Sequence, residues 1–118
     1  MKLVNNFLCG VQAASFAEAM VLVETTGLDR EQAAKILCNG ASGSPLIKTI
    51  WTRAAGGDLT PNFILRLMAK DLKYSMEVAR QHDLTLKTAA PALELFEDAV
   101  KSGYGDQDLA AVIDAQRR

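Results

Sequence analysis

The stretch Met1–Gly27, MKLVNNFLCGVQAASFAEAMVLVETTG, decides the fold of this 118-residue chain. It contains no proline and only one glycine before its end, so nothing in it interrupts a helix. At about 1.5 Å per residue, a helix of this length crosses a small domain. Its apolar residues recur at helical spacing on more than one side, which indicates packing on several faces. We therefore predict a central helix around which the other elements are arranged.

The composition favours helices and argues against several classes of protein. Hydrophobic residues make up 49% and charged residues 23% of the chain, and the net charge is −1. This is enough apolar material for one domain with a core, without the basic excess that typifies nucleic-acid binding. No run approaches about 18 uninterrupted apolar residues, so no membrane span is expected. Cys9 and Cys38 lie in helical patterns and, without a signal-peptide pattern, favour a reduced, cytoplasmic protein.

Caps, glycines and prolines place the first three helices. Gly27 is a good terminator for the first helix. Asp29 then caps a second helix over residues 30–38, with Gln32 as its capping-box partner. Pro45 is expected in the first turn of a third helix, since proline is tolerated there. These three helices are joined by short polar turns.

The fourth and fifth helices are placed by the same signals. Thr60 and Pro61 are expected to open the fourth helix as N-cap and first helical residue, and that helix continues to about His82. A fifth helix runs from about Thr88 and ends before Gly103, where a tight glycine turn begins.

The last helix completes an all-α architecture. Asp106 or Asp108 caps a short helix over residues 109–116. No segment shows the alternating pattern of a strand, and no internal repeat is present. The predicted structure is a single all-α domain over residues 1–118, a bundle of about six helices around the long N-terminal one.

Chemistry-bearing residues are few. No glycine arrangement forms a nucleotide fingerprint, and one histidine, His82, with two distant cysteines gives no metal site. Lys2 and Asn6 are four residues apart and therefore share a helix face, with Asn5 one step round. Lys2 can equally be a solvated terminal lysine, whereas Asn5-Asn6 interrupts an apolar run and so favours a functional role for Asn6. From spacing alone, the chain is a helical domain of unspecified role.

Four short motifs follow one another across nearly the whole chain: KLVNN at 2–6, EAM at 18–20, Phe63 followed by KDL at 70–72, and GYGDQD at 103–108. In this order they resemble the C-terminal domain of the β-hydroxyacid dehydrogenases, the 3-hydroxyisobutyrate dehydrogenase and 6-phosphogluconate dehydrogenase-like superfamily. The resemblance implies the all-α fold of that domain. It also implies a dinucleotide-binding domain that precedes it in a longer parent enzyme, and this half is expected to be missing from the chain.

The resemblance implies an activity as well as a fold. Family members use NAD or NADP to oxidise a 3-hydroxy acid, or to reduce the matching semialdehyde or keto acid. Lys2 would be the catalytic lysine, which takes the hydroxyl proton in one direction and stabilises the developing alkoxide in the other. Asn6 would bind the substrate by donating a hydrogen bond to its hydroxyl or carboxylate, and would orient Lys2, with Asn5 as its neighbour.

Three further residues receive roles from the same resemblance. Lys70 resembles the lysine that reaches the cofactor, while Phe63 and Asp71 resemble the pair that lines the substrate side of the cleft. Eight residues apart, Phe63 and Asp71 are expected on roughly one helix face. Without the family, Lys70 and Asp71 would be a solvated charged pair, and Phe63 would be a core residue.

The expected partners follow from this assignment. They are a small β-hydroxyacid, the N-terminal dinucleotide-binding domain of the parent enzyme and further copies of the chain; no nucleic acid, membrane or metal is expected. An apolar long helix with few charges suits burial between subunits, so a homodimer or homotetramer is predicted. The alternative is a stand-alone, non-catalytic helical oligomerisation module, in which Lys2 would have no chemical role.

Overall fold

A computed structural model describes residues 1–117, and the regular secondary structure of these residues consists of helices. In chain order these are α1 Lys2–Thr25, α2 Arg30–Asn39, α3 Pro45–Ala55, α4 Leu65–Gln81, α5 Ala89–Ala99, a π-helical turn Val100–Tyr104, a 3-10 turn Leu109–Ala111 and α6 Val112–Gln116. Extended pairing over the described range is limited to one antiparallel bridge between Ile64 and Asp108. The prediction of an all-α fold with six α-helices is confirmed.

Helix α1 is the centre of the domain, because each of the other five α-helices packs against it. Ala13, Ala17 and Met20 are completely buried, and Phe16 is nearly so. Alanines on several sides of the helix let neighbouring backbones approach closely, while Met20 and Phe16 fill the larger gaps. The multi-sided apolar pattern of the sequence therefore reflects packing on several faces, as expected.

The same helix is long and apolar enough to cross a membrane by length and mean hydropathy, which is 1.4 in its most apolar window. One such helix is weak evidence for a membrane span, and the expectation of none, which rested on uninterrupted apolar runs, stays a prediction. In the fold, however, 44% of that window is buried inside the domain. The core helix of a soluble protein has the same length and composition, and the five helices around α1 account for its apolar character.

Helices α1 and α4 run antiparallel at close range. Asn6 faces Asp71, and one turn further along α1, Gly10 faces Met68 and Leu72 of α4. A Cβ atom at Gly10 would stand 2.8 Å from the Met68 sulfur and 3.0 Å from Leu72 Cδ2. Both of these side chains are buried in the core. Because glycine has no side chain, Gly10 allows α1 and α4 to approach each other this closely.

Replacing Gly10 with valine is expected to destabilise the domain by about 2 kcal/mol or more, because the two γ-methyl groups overpack Met68 and Leu72. Ser15→Val is the matched control: Ser15 is exposed on the same helix, so this variant reports the helix propensity of valine and the loss of one exposed hydrogen bond to the Gln12 carbonyl. Urea unfolding of both variants measures the difference. A loss at Gly10 no larger than that at Ser15 would contradict the close contact.

Helix α4 begins later than predicted. Its first residue is Leu65, and Thr60-Pro61 lies in an irregular loop instead of opening the helix. The cause is a tertiary contact, because the backbone N–H groups of Asn62 and Phe63 both donate to Oδ1 of Asp108, at 2.9 and 3.1 Å. These bonds hold the residues before α4 in an extended path, which local capping signals cannot reveal.

Other local predictions agree with the structure. The Asp29 side chain caps α2 by accepting a hydrogen bond from the backbone N–H of Gln32, at 3.0 Å. Of the two candidate caps for the last helical segment, Asp108 is the one whose carboxylate accepts from the backbone N–H of Ala110. The glycine turn after α5 lies inside the π-helical turn, where Gly103 has a φ of 96° that favours glycine.

Glu24 and Arg117 join the end of α1 to the end of the described chain. Arg117 donates two hydrogen bonds to the Glu24 carboxylate, at 2.7 and 2.9 Å. These bonds hold the pKa of Glu24 below its usual value, against the opposing effect of burial, and the nearby Arg30 charge adds to the lowering. The bidentate geometry makes this pair stronger than an ordinary surface ion pair.

This pair predicts a pH-dependent contribution to stability. Because the folded pKa of Glu24 is lowered, its contribution is complete above the unfolded value of about 4.5 and is lost as the pH falls further. Glu24→Gln is expected to lower the free energy of unfolding by about 0.5–1 kcal/mol at pH 7, and the difference from wild type should shrink below pH 4.5. Glu77→Gln, at an exposed site on α4, is the control. A difference that is independent of pH would refute this role.

Candidate active site

Lys2 and Asn6 occupy successive turns at the N-terminal end of α1. Lys2 is exposed, whereas Asn6 is 9% exposed and is one of the few buried polar side chains. Within residues 1–117, Lys2 has no carboxylate partner within 4.0 Å. The lysine is therefore open to a ligand, while the asparagine beside it is held by the protein.

The Asn6 side chain reaches across to helix α4. Its Nδ2 donates a hydrogen bond of 2.7 Å to Oδ2 of Asp71, which is half-buried. This is a short, charge-assisted bond in a partly buried position, so it holds both side chains in place. The structure thus brings Asp71 to the Lys2–Asn6 face, although the two segments are far apart in sequence.

Two other predicted site residues lie near this pair on the surface. Lys70 precedes Asp71 on α4 and is exposed, and no carboxylate of residues 1–117 lies within 4.0 Å of its amine. Asn5 is exposed on α1, and its amide is 3.8 Å from the sulfur of Cys9, a weak contact that leaves it accessible. Both residues are placed where they could meet a ligand, and their assigned roles stay predictions.

Phe63 is placed differently from the expectation. It lies before the start of α4, so the idea that it shares a helix face with Asp71 is wrong. The rise from Leu65 to Asp71 alone is about 9 Å. Phe63 is half-buried and packs against the core. The structure therefore groups Lys2, Asn6 and Asp71, while Phe63 belongs to the loop at the other end of α4.

A buried charge cluster near Phe63 was missed in the sequence. Asp108 is 4% exposed, and Nε of Arg53 lies 3.3 Å from its Oδ2, an ion pair without the alignment of a hydrogen bond. Burial alone would raise the pKa of Asp108, but the three backbone N–H donors and the Arg53 charge together hold it below its usual value. Asp108 was recognised as a cap, yet nothing in the sequence pointed to Arg53, from α3, as its partner.

A cavity lies elsewhere on the domain. It is a groove of about 680 Å³ between α1, α5 and α6, and its lining includes Val11, Glu18, Pro91 and Gln116. None of the predicted site residues lines it. Across residues 1–117 no group of three or more His, Cys, Asp or Glu side chains is arranged to hold a metal ion.

Comparison with known proteins decides the family. The model of the family described as NAD-binding of NADP-dependent 3-hydroxyisobutyrate dehydrogenase matches residues 1–116. The chain belongs to this family. A curated relative, 3-sulfolactaldehyde reductase of Escherichia coli strain K12, is 33% identical over 99% of the chain. L-threonate dehydrogenase of the same strain is 31% identical over 96% of the chain. The predicted relationship to the β-hydroxyacid dehydrogenases is confirmed.

Solved structures support the same family. A 3-hydroxyisobutyrate dehydrogenase from Salmonella typhimurium superposes with a TM-score of 0.89 and 30% identity, over 96% of this chain and 40% of that one. The enzyme of Mycobacterium tuberculosis gives a TM-score of 0.86 and 27% identity, over 99% and 42%. The curated relatives are matched over 40% and 37% of their own lengths. The chain thus spans about two fifths of the proteins that it resembles, and the family description places NAD binding in the matched region.

Proposed function

We propose that this chain is the C-terminal catalytic and dimerisation domain of an NAD(P)-dependent β-hydroxyacid dehydrogenase. The parent enzyme would oxidise a 3-hydroxy acid or reduce the matching semialdehyde or keto acid. The observation that carries the proposal is the position of Lys2 and Asn6, one turn apart at the end of α1, with Asn6 bonded to Asp71. Relatives named as a reductase and a dehydrogenase support the reaction class.

The first turn of α1 lacks the residues that usually stabilise the N-terminus of a helix, which supports a functional role for Lys2. Acidic side chains stabilise the positive end of a helix dipole, and a lysine there is unfavourable. This turn contains no acidic residue, no side chain caps it, and Lys2 is its first residue. Departures from stable local design are typical of functional sites.

The proposed chemistry assigns one task to each side chain. The nicotinamide, when bound, supplies the hydride acceptor or donor. The amine of Lys2 takes the proton of the substrate hydroxyl during oxidation and returns it during reduction. Asn6 holds the reacting group beside Lys2, and Asn5 contributes a second amide at the edge of the site.

The exposed face of α4 fits an anionic cofactor. Lys70 and Lys73 are exposed on it, and among the residues described neither has an ion-pair partner that would neutralise its charge. Unpaired ammonium groups suit the phosphates of NAD or NADP as point charges. We assign Lys70 to this contact, while most of the cofactor would be bound by the dinucleotide-binding domain of the parent enzyme.

The proposal includes a homodimer or homotetramer in the cytoplasm. Val4, Leu8 and Leu22 of α1 are 54%, 61% and 64% exposed, and solvent-exposed leucines and valines on a core helix favour a contact between subunits. Cys9 and Cys38 are free thiols in the structure, which supports a reducing compartment.

The test is an assay of the purified parent enzyme with NAD⁺ or NADP⁺ and a panel of 3-hydroxy acids, followed by the absorbance of reduced nicotinamide. Turnover of at least one member is expected, and none is expected from the 118-residue chain alone, which has no dinucleotide fingerprint. The proposal would have to be abandoned if the parent enzyme turned over none of them in either direction.

A further inference from the structure

We propose that Asp71 is a positioning residue, which fixes the amide of Asn6 so that its carbonyl oxygen, and not its NH2 group, faces the substrate. The inference rests on the function proposed above and changes the expected role of both residues. Asp71 would act through Asn6 instead of contacting the substrate. Asn6 would accept a hydrogen bond in the site instead of donating one.

The orientation of the amide follows from the chemistry of its partner. An ionised carboxylate has only acceptor oxygens, so the atom of Asn6 that faces Asp71 must be the NH2 group. The bond from Nδ2 to Oδ2 is 2.7 Å long. A flipped amide would place Oδ1 at this distance from a carboxylate oxygen, which is repulsive. The charge of Asp71 therefore selects one of two amide orientations of similar shape.

The carbonyl oxygen of Asn6 remains available on the other side. Hydrogen bonds within residues 1–117 leave Oδ1 without a protein partner. In the described chain, three polar side-chain atoms are fully buried and have no hydrogen-bond partner: Nε of Arg30, Nε of Arg53 and Oε1 of Gln107. Oδ1 of Asn6 is not one of them. An unpaired atom that is not sealed in the core is accessible. Although Asn6 as a whole is only 9% exposed, Oδ1 is thus an unpaired acceptor that keeps some solvent contact, one turn from Lys2.

An acceptor at this point suits the proton chemistry of Lys2. If Oδ1 accepts one N–H of the amine, the remaining N–H groups or the lone pair turn towards the substrate hydroxyl. If it accepts the substrate hydroxyl before Lys2 takes the proton, it aligns that hydroxyl. In both cases the Asn6 carbonyl oxygen accepts a proton donor from Lys2 or the substrate, while its NH2 group is held at Asp71 by one of its two N–H bonds.

Exchanging the two residues tests the proposal. In the parent enzyme, Asn6→Asp places two carboxylates against each other and is expected to lower kcat at least tenfold. The double variant Asn6→Asp with Asp71→Asn has the net charge of wild type. It restores the hydrogen bond in the reverse direction and keeps an acceptor at position 6. The kcat of this double variant is expected to be at least tenfold higher than that of Asn6→Asp alone. Asp106→Asn removes an exposed carboxylate elsewhere and serves as the control.

The outcomes separate the possible roles. If Asn6 donates to the substrate, the double variant will be as inactive as Asn6→Asp, because position 6 then has no donor, and the proposal is overturned. Thermal unfolding tests the pairing without any activity: the double variant should regain the melting temperature that Asn6→Asp loses, and a failure to do so also overturns the proposal. Lack of turnover by the wild-type parent enzyme would instead reject the dehydrogenase function, while the melting temperatures would still decide the pairing.

Discussion

Replacing Lys2 with alanine in the parent enzyme is expected to lower kcat by about 100- to 10,000-fold, the usual contribution of a general acid or base. The melting temperature should stay unchanged, because Lys2 is exposed and has no ion-pair partner within residues 1–117. Removing a positive charge from the first turn of a helix can even stabilise it slightly. Steady-state kinetics and thermal unfolding of the same preparation give both quantities.

The control for this experiment is Lys35→Ala, which removes an exposed lysine from α2 and should leave kcat unaltered. A Lys2→Ala enzyme that keeps its kcat within a factor of about three would contradict the catalytic role. It would favour the alternative in which the domain is a non-catalytic oligomerisation module, since such a module has no use for an amine at this position.

Replacing Asp108 with alanine is expected to destabilise the chain by about 3–5 kcal/mol, the effect of removing one partner of a buried ion pair. The carboxylate accepts hydrogen bonds from three backbone N–H groups, those of Asn62, Phe63 and Ala110. It also faces Arg53, whose side chain is 18% exposed. Alanine would leave the three N–H donors without their acceptor and would remove one carboxylate from Arg53, whose guanidinium keeps the Thr60 carbonyl and Asp58 as partners. The loss of several bonds at once is why the effect exceeds that of an ordinary cap.

Asp106→Ala is the matched control for Asp108. Asp106 lies two residues earlier, its side chain is 90% exposed, and it pairs with the exposed side chain of Arg66. Its removal should change the free energy of unfolding by less than about 1 kcal/mol. Chemical denaturation of the two variants measures both effects. Equal losses at the two positions would show that the Asp108 cluster does not stabilise the loop.

Much of the fold could be predicted because it depends on local signals. The apolar pattern of α1, the cap at Asp29 and the turn at Gly103 each act within a few residues, so sequence reasoning placed them correctly. The start of α4 depends on Asp108, which lies 45 positions after Phe63 in the chain. Thr60-Pro61 is a good local start signal that this distant contact overrides.

The candidate site also combines features that depend on local sequence with features that depend on distant contacts. The shared face of Lys2 and Asn6 follows from the period of a helix, so spacing alone predicted it. The bond between Asn6 and Asp71 depends on the antiparallel register of α1 and α4, which no spacing in a single sequence specifies. The proposed reaction rests on resemblance, since helix geometry alone does not distinguish a catalytic lysine from a solvated one.

The contact between Asp108 and the loop before α4 also bears on how fast the domain folds and unfolds. The N–H groups that it binds lie 45 and 46 positions earlier in the chain, so the intervening segment must be closed before these bonds can form. Contacts of this range are expected to form after the transition state, when the helices have already assembled. Interactions formed that late act mainly on the unfolding rate. We therefore expect Asp108 to lengthen the lifetime of the folded domain more than it accelerates folding.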